Sequence, residues 1–163
     1  ITATDMQAYV FCAECAPGTE HESAWRLLAL ALKQVYGMEE LPRVEREAGG
    51  KPFFPERRDI FFNISHSHGA VACAIHGAPV GVDIERLRTA PRRLAGEMSD
   101  RDFFRRWTAK EASVKRDGKG VGALLRDFEP DPLCCTYDDL LPGWIITVCP
   151  SDEVEICCRV MSL

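Results

Sequence analysis

No run of apolar residues in this chain approaches the roughly 18 needed to cross a bilayer, and no positively charged, then apolar, leader opens it. Neither a repeat of fixed period nor a low-complexity linker divides it. A basic excess is missing too: 20 Lys and Arg stand against 25 Asp and Glu, a net charge of −5. That balance excludes bulk nucleic-acid binding, so any anionic ligand must be met by local basic residues. These absences predict a protein with neither a membrane nor a nucleic-acid partner. At 163 residues, 46% hydrophobic, the chain is long enough for one core, in one domain or two small lobes.

Cysteine is plentiful, but the spacing that would make it a framework is absent. Cys134-Cys135 and Cys157-Cys158 are vicinal pairs, which rarely bridge. Cys73, Cys149 and Cys157 sit in apolar strand-like runs, as small core residues do. Cys12-Ala-Glu-Cys15 has a metal-like spacing with no second CxxC or HxxxH downstream. Reduced thiols in a cytosolic protein are expected.

Periodicity supplies the elements. Gln7 to Cys12 reads as a strand. Trp25, Leu28, Leu32 and Val35 recur at three and four and predict a helix over Glu20 to Tyr36, closed by Gly37. Pro42, Gly49-Gly50 and Pro52 break up the stretch after that helix. Ile60 to His66 and Val71 to Ile75 read as strands joined by a tight turn at Ser67-His68-Gly69. Next come a strand over Val80 to Glu85, a short helix over Arg92 to Met98 and a long helix from Asp102 to about Arg116. Cys134 to Tyr137, Trp144 to Cys149 and Val154 to Val160 read as strands. Helices with mostly hairpin-linked strands indicate α+β.

Three constellations bear on chemistry. In Gly81-Val-Asp-Ile-Glu85, strand alternation sends Val82 and Ile84 to one face and Asp83 and Glu85 to the other. Two carboxylates on one face repel unless a cation lies near them, and oxygen-only ligands suit Mg²⁺; a solvated strand face is the alternative. In Phe103–Gly120, FFRRWTAKEASVKRDGKG, the positions Phe104, Thr108, Glu111 and Lys115 form one stripe beside the apolar one. A surface pair between Glu111 and Lys115 would explain it. So would a third carboxylate completing the Asp83/Glu85 pair, with Lys115 facing a phosphate and Gly118-Lys119-Gly120 letting backbone approach a ligand. In Asn63–Gly69, NISHSHG, Ser65, His66 and Ser67 cluster at a strand end, either to meet an anion or as a plain polar end. Upstream, Lys51 follows two glycines in GGKPFF.

In this order, GGKPFF, FFNISHSHGAVACAI, PVGVDIE and FFRRWTAKEASVKRDGKG resemble the 4′-phosphopantetheinyl transferases, in particular the surfactin-synthetase-activator type, from about Trp25 to Cys149. The resemblance implies two similar α+β lobes, about 1–75 and 76–163 of a single unit 1–163, forming a pseudo-dimer within one chain with the active site between them. It implies a cytoplasmic monomer that moves the phosphopantetheine arm of coenzyme A to a serine of an apo acyl or peptidyl carrier protein, releasing adenosine 3′,5′-bisphosphate. Asp83, Glu85 and Glu111 match the metal carboxylates, for Mg²⁺ or Mn²⁺, and Glu111 also matches the residue that takes the serine proton. Lys115 matches the lysine on the phosphates. Ser65, His66 and Lys51 match contacts of the coenzyme, and Arg26 an arginine reaching its 3′-phosphate. A non-catalytic coenzyme-A-binding module and a Mg²⁺-dependent phosphohydrolase are the alternatives.

One departure stands out. Only 25 residues separate Glu85 from Glu111, fewer than the family usually has. The segment is either deleted or left out of this sequence, and Met98-Ser99-Asp100, which reads as a cap whose helix is absent, favours the second. Arg86, Arg88, Arg92 and Arg93 remain as a basic patch suited to an acidic carrier helix, or as scattered surface arginines.

Overall fold

Strand β1 (Gln7–Glu14) is buried along nearly its whole length because strands flank both its edges and a helix covers it. The computed structural model describes residues 7–163, apart from the side chains of Val121 and Leu125. Residues 1–6, which the single-unit reading includes, lie outside the described residues. After β1 come helix α1 (Glu20–Tyr36), the two-residue strands β2 (Glu45–Arg46) and β3 (Pro52–Phe53), and the hairpin β4 (Phe61–Ser67) and β5 (Ala70–His76). The second half holds β6 (Val80–Arg86), α2 (Arg92–Ala95), α3 (Asp100–Arg116), a 3₁₀ turn (Val121–Leu125), β7 (Cys135–Tyr137), β8 (Trp144–Pro150) and β9 (Glu155–Val160).

The first sheet runs β4-β5-β1-β9 and the second β7-β8-β6. Both repeat one pattern. A leading strand, β1 or β6, is followed by a long helix, then by an antiparallel pair, β4-β5 or β7-β8, whose second member pairs antiparallel with the leading strand. The β4–β5 turn is the tight one expected: His68 and Gly69 have φ of 40° and 92°, the two positive values of a hairpin turn that matches strand twist. Helix α1 ends on Gly37 at φ 69°, the left-handed cap that glycine adopts without strain. It buries Ala24, Leu27, Leu28, Ala31 and Leu32 against Phe11, Phe62 and Ile75.

Helix α3 begins two residues earlier than its apolar periodicity indicates. Ser99 is its N-cap, accepting from Asp102 N at 3.1 Å, with Asp100 and Asp102 in the first turn, where carboxylates suit the helix dipole. The cap that seemed to lack a helix therefore belongs to α3. The preceding segment closes on it: Asp100 Oδ1 accepts from Ala90 N and from Arg92 Nη2. Two members of the expected arginine patch are spent internally: Arg92 in that contact, and Arg88 on Glu85 and over the Phe104 ring. The short helix stops at Ala95, because Gly96 takes φ 58°.

The thiol expectation needs one correction. Cys12 and Cys73 are fully buried core residues, and burial pushes the Cys12 thiol up to about 12. Cys134 and Cys149, however, form a disulfide, Cα to Cα 4.2 Å. They continue the β7–β8 register of Cys135 opposite Val148, and neighbouring antiparallel strands bring opposed residues this close.

Helix α3 lies on β6 and β8 so tightly that Gly81 has no room for a side chain. A Cβ there would sit 1.9 Å from Ala112 O and 2.6 Å from Arg116 N. Substitution Gly81→Ala must lift the helix off the strand. A loss of about 1–3 kcal/mol or more is expected, read as a lowered midpoint in chemical denaturation; a midpoint equal to wild type would contradict this packing.

Candidate active site

The face of α3 turned to β6 carries Phe104, Thr108, Glu111 and Lys115, the stripe seen in the sequence; the first two are buried and the last two half-buried. Strand β6 meets this face with Asp83 and Glu85. One carboxylate oxygen each of Asp83, Glu85 and Glu111 lies within 4.8 Å of the others. Asp83 is only 4% exposed. Its Oδ1 accepts from Ser65 Oγ at 3.1 Å, while its buried Oδ2 has no hydrogen-bond partner among the described residues. Burial holds the Asp83 carboxyl well above the ordinary carboxylate range, and the Glu111 charge pushes the same way; Lys115 opposes both. Glu85 Oε2 accepts from Ser67 Oγ and from Arg88 Nη1. Three carboxylates this close, one with an orphaned buried oxygen, form a donor set of oxygens only, which fits a hard divalent cation such as Mg²⁺.

Lys115 does not act as a surface partner of Glu111. Its Nζ donates to Ile64 O at 2.7 Å and Val82 O at 2.8 Å, joining β4 to β6. Burial lowers its pKa, against the pull of Asp83 and Glu111. Lys51 does the same one step along the strand: its Nζ donates to Arg116 O at 2.9 Å, at the end of α3, and to Val80 O at 3.4 Å. Burial lowers the Lys51 pKa as well, opposed by Glu47 and Asp117.

Among the described residues the outer edge of β6 has no backbone partner, and β4 fills it with side chains. Asn63 Oδ1 accepts from Val82 N, Ser65 Oγ from Ile84 N and Ser67 Oγ from Arg86 N, at 2.8, 3.2 and 3.2 Å. Alternation in NISHS puts these three on one face of β4. That spacing was the available signal for Asn63, which was given no role, and for Ser67, which was expected at most to meet an anion and instead takes a backbone N–H.

Beside the lysines lies a cavity of about 260 Å³ whose lining includes His21, Trp25, Arg46, Lys51, Lys115 and Lys119. Four cationic side chains face it, and two of them, Arg46 and Lys119, were not anticipated. Its wall is close backbone: a Cβ on Gly49 would come 2.7 Å from Gly118 O, so both glycine motifs serve to bring two loops together. The predicted coenzyme residues fall in different places. Lys51 and Lys115 line the cavity. Ser65 is buried, its hydroxyl committed to Asp83 and Ile84. His66 is exposed at the rim, edge-on to His21 at 6.4 Å. Arg26 lies on the exposed face of α1, outside the lining.

The raised Asp83 pKa has a sign that can be tested. A carboxyl that holds its proton more tightly when folded contributes stability below its unfolded value, and that contribution is lost as pH rises through the folded value. In chelator, Asp83→Asn removes this loss. Its thermal midpoint is expected to exceed wild type at pH 7 by a margin that shrinks on acidification and vanishes below the ordinary aspartate range near 4. A margin that is independent of pH, or negative at pH 7, would contradict the assignment.

No protein-family model matches the chain. Curated relatives do. It is 32% identical over 102 residues to the 4′-phosphopantetheinyl transferase Sfp of Bacillus subtilis, 53% of this chain and 46% of that protein. It is 37% identical over 95 residues to the transferase gsp of Aneurinibacillus migulanus, 48% of this chain and 39% of that protein. With the transferase HetI of a Nostoc species it shares 31% over 140 residues, 68% of this chain and 57% of that protein. The chain thus spans about half the length of the curated relatives it matches. In sequence, over that length, it is similar to the 4′-phosphopantetheinyl transferases.

Proposed function

We propose that this chain transfers the 4′-phosphopantetheine arm of coenzyme A to a serine of an apo acyl or peptidyl carrier protein, releasing adenosine 3′,5′-bisphosphate. The observation that carries the reading is the approach of Asp83, Glu85 and Glu111 within 4.8 Å, beside a cavity faced by four cations. A carboxylate trio next to a basic cavity is what a diphosphate ester needs, because phosphoryl transfer is mainly positioning and charge neutralisation. In this reading Asp83, Glu85 and Glu111 hold Mg²⁺ or Mn²⁺. The metal, when bound, would draw charge from the diphosphate oxygens.

The remaining roles belong to the chain's own groups. Glu111 accepts the serine proton as the serine oxygen bonds to the β-phosphorus. The bond from that phosphorus to the bridging oxygen breaks, and the leaving bisphosphate carries the electron pair away. Lys115 meets the charge that develops there, and Lys51, Arg46 and Lys119 face the nucleotide phosphates. Two similar lobes, about 1–75 and 76–163, joined as a pseudo-dimer, are favoured by the repeated strand order of the two sheets. A cytoplasmic monomer accords with this substrate pair. No helix among the described residues is long and apolar enough to cross a membrane.

Incubation with coenzyme A, Mg²⁺ and a panel of apo carriers, followed by mass spectrometry, tests the proposal. Carriers are expected to gain the phosphopantetheine arm. Coenzyme A binding without bisphosphate release would point instead to a binding module, and release without carrier to a hydrolase. Glu111→Gln is expected to abolish transfer while calorimetric coenzyme A binding persists. Lys115→Ala should slow transfer by about 10²–10³-fold, as loss of a transition-state contact does; an unchanged rate would leave Lys115 only its structural role between β4 and β6.

A further inference from the structure

Among the contacts that seat helix α3 on the second sheet, two flank Glu111 along the helix. One is the backbone contact of Gly81 with Ala112 and Arg116. The other is a chain of three hydroxyls. Thr108 Oγ1 lies 2.7 Å from Thr147 Oγ1, which lies 2.7 Å from Thr136 Oγ1. Thr108 and Thr147 are fully buried. The direction of the chain is fixed by its end: Phe104 O, 2.7 Å from Thr108 Oγ1, can only accept. Thr108 therefore spends its proton there, Thr147 donates to Thr108, and Thr136 donates to Thr147. The chain crosses from β7 through β8 to α3. In the β6–β8 register Thr147 stands directly opposite Asp83, and Thr108 precedes Glu111 by one helical turn. It thus ties the helix bearing one carboxylate to the level of the strand bearing the other two.

We infer that Thr147, acting through Thr108, is a positioning residue that sets the separation of Glu111 from Asp83 and Glu85, and hence the affinity of the trio for a divalent cation. The inference rests on the reading of these carboxylates as a metal site. Thr147→Val keeps the shape and removes the donor, leaving a buried Thr108 lone pair unmet. Thr147→Ser keeps the hydroxyl.

The test is Mn²⁺ binding followed by electron paramagnetic resonance, without substrate. Thr147→Val is expected to bind about tenfold more weakly than wild type, the low end of what is lost when a group that orients a metal ligand is removed. Thr147→Ser should bind nearly as wild type. Equal affinity in Thr147→Val overturns the inference, and so does a Thr147→Ser as weak as Thr147→Val, because that marks packing rather than the hydroxyl. If Thr147→Val does not fold, Thr108→Val takes its place, because it removes the acceptor that Thr147 meets; a loss in the same direction is expected, and no loss overturns the inference. Wild-type protein that binds Mn²⁺ but modifies no carrier would sink the transferase reading and leave this one standing. Wild-type protein that binds no Mn²⁺ overturns both.

Discussion

The two sheets are held together at an edge of β6 that, among the described residues, pairs with no strand through its backbone. Strand β6 presents Val82, Ile84 and Arg86 N–H outward, and Asn63, Ser65 and Ser67 of β4 receive them. The carbonyls of Val80 and Val82 on the same edge receive Lys51 and Lys115. Buried backbone groups left unpaired are costly, so each of these side chains is fixed by the need to satisfy a neighbour. The acidic face of β6 inherits that order. Asp83 and Glu85 stand rigid because the strand that carries them is bonded on both sides, by β8 on one and by side chains on the other.

This arrangement gives several residues two tasks. Ser65 accepts from the Ile84 N–H and donates to the Asp83 carboxylate. Lys115 joins two strands while facing the cavity. Lys51 finishes helix α3 by taking the Arg116 carbonyl, a use of a cation that suits the negative end of a helix. Structure and chemistry are therefore hard to separate by deletion alone, and conservative substitutions carry more information than alanine.

Much of this was legible beforehand. Strand alternation put Asp83 and Glu85 on one face, and helical periodicity put Thr108, Glu111 and Lys115 on one stripe. Both are local consequences of backbone geometry, and both hold in the structure. What was not legible is where long side chains end. Nothing in sequence spacing says that the Lys115 ammonium prefers two carbonyls to the carboxylate one turn away, since that depends on β4 lying beside β6. The Ser99 cap was misread for a related reason: apolar periodicity marks the buried face of a helix, and the polar first turn of α3, Asp100 and Arg101, carries no such mark. The Cys134–Cys149 bridge likewise required the β7–β8 register, which vicinal spacing hides.

An ammonium group has three N–H bonds. Two of Lys115's are held by Ile64 O and Val82 O, so a single bond remains, and its bearing is set by the strands. The lysine is therefore a pointer rather than a swinging arm: under the proposed function, an anion reaching it would find one donor in one direction and would have to orient itself to that line.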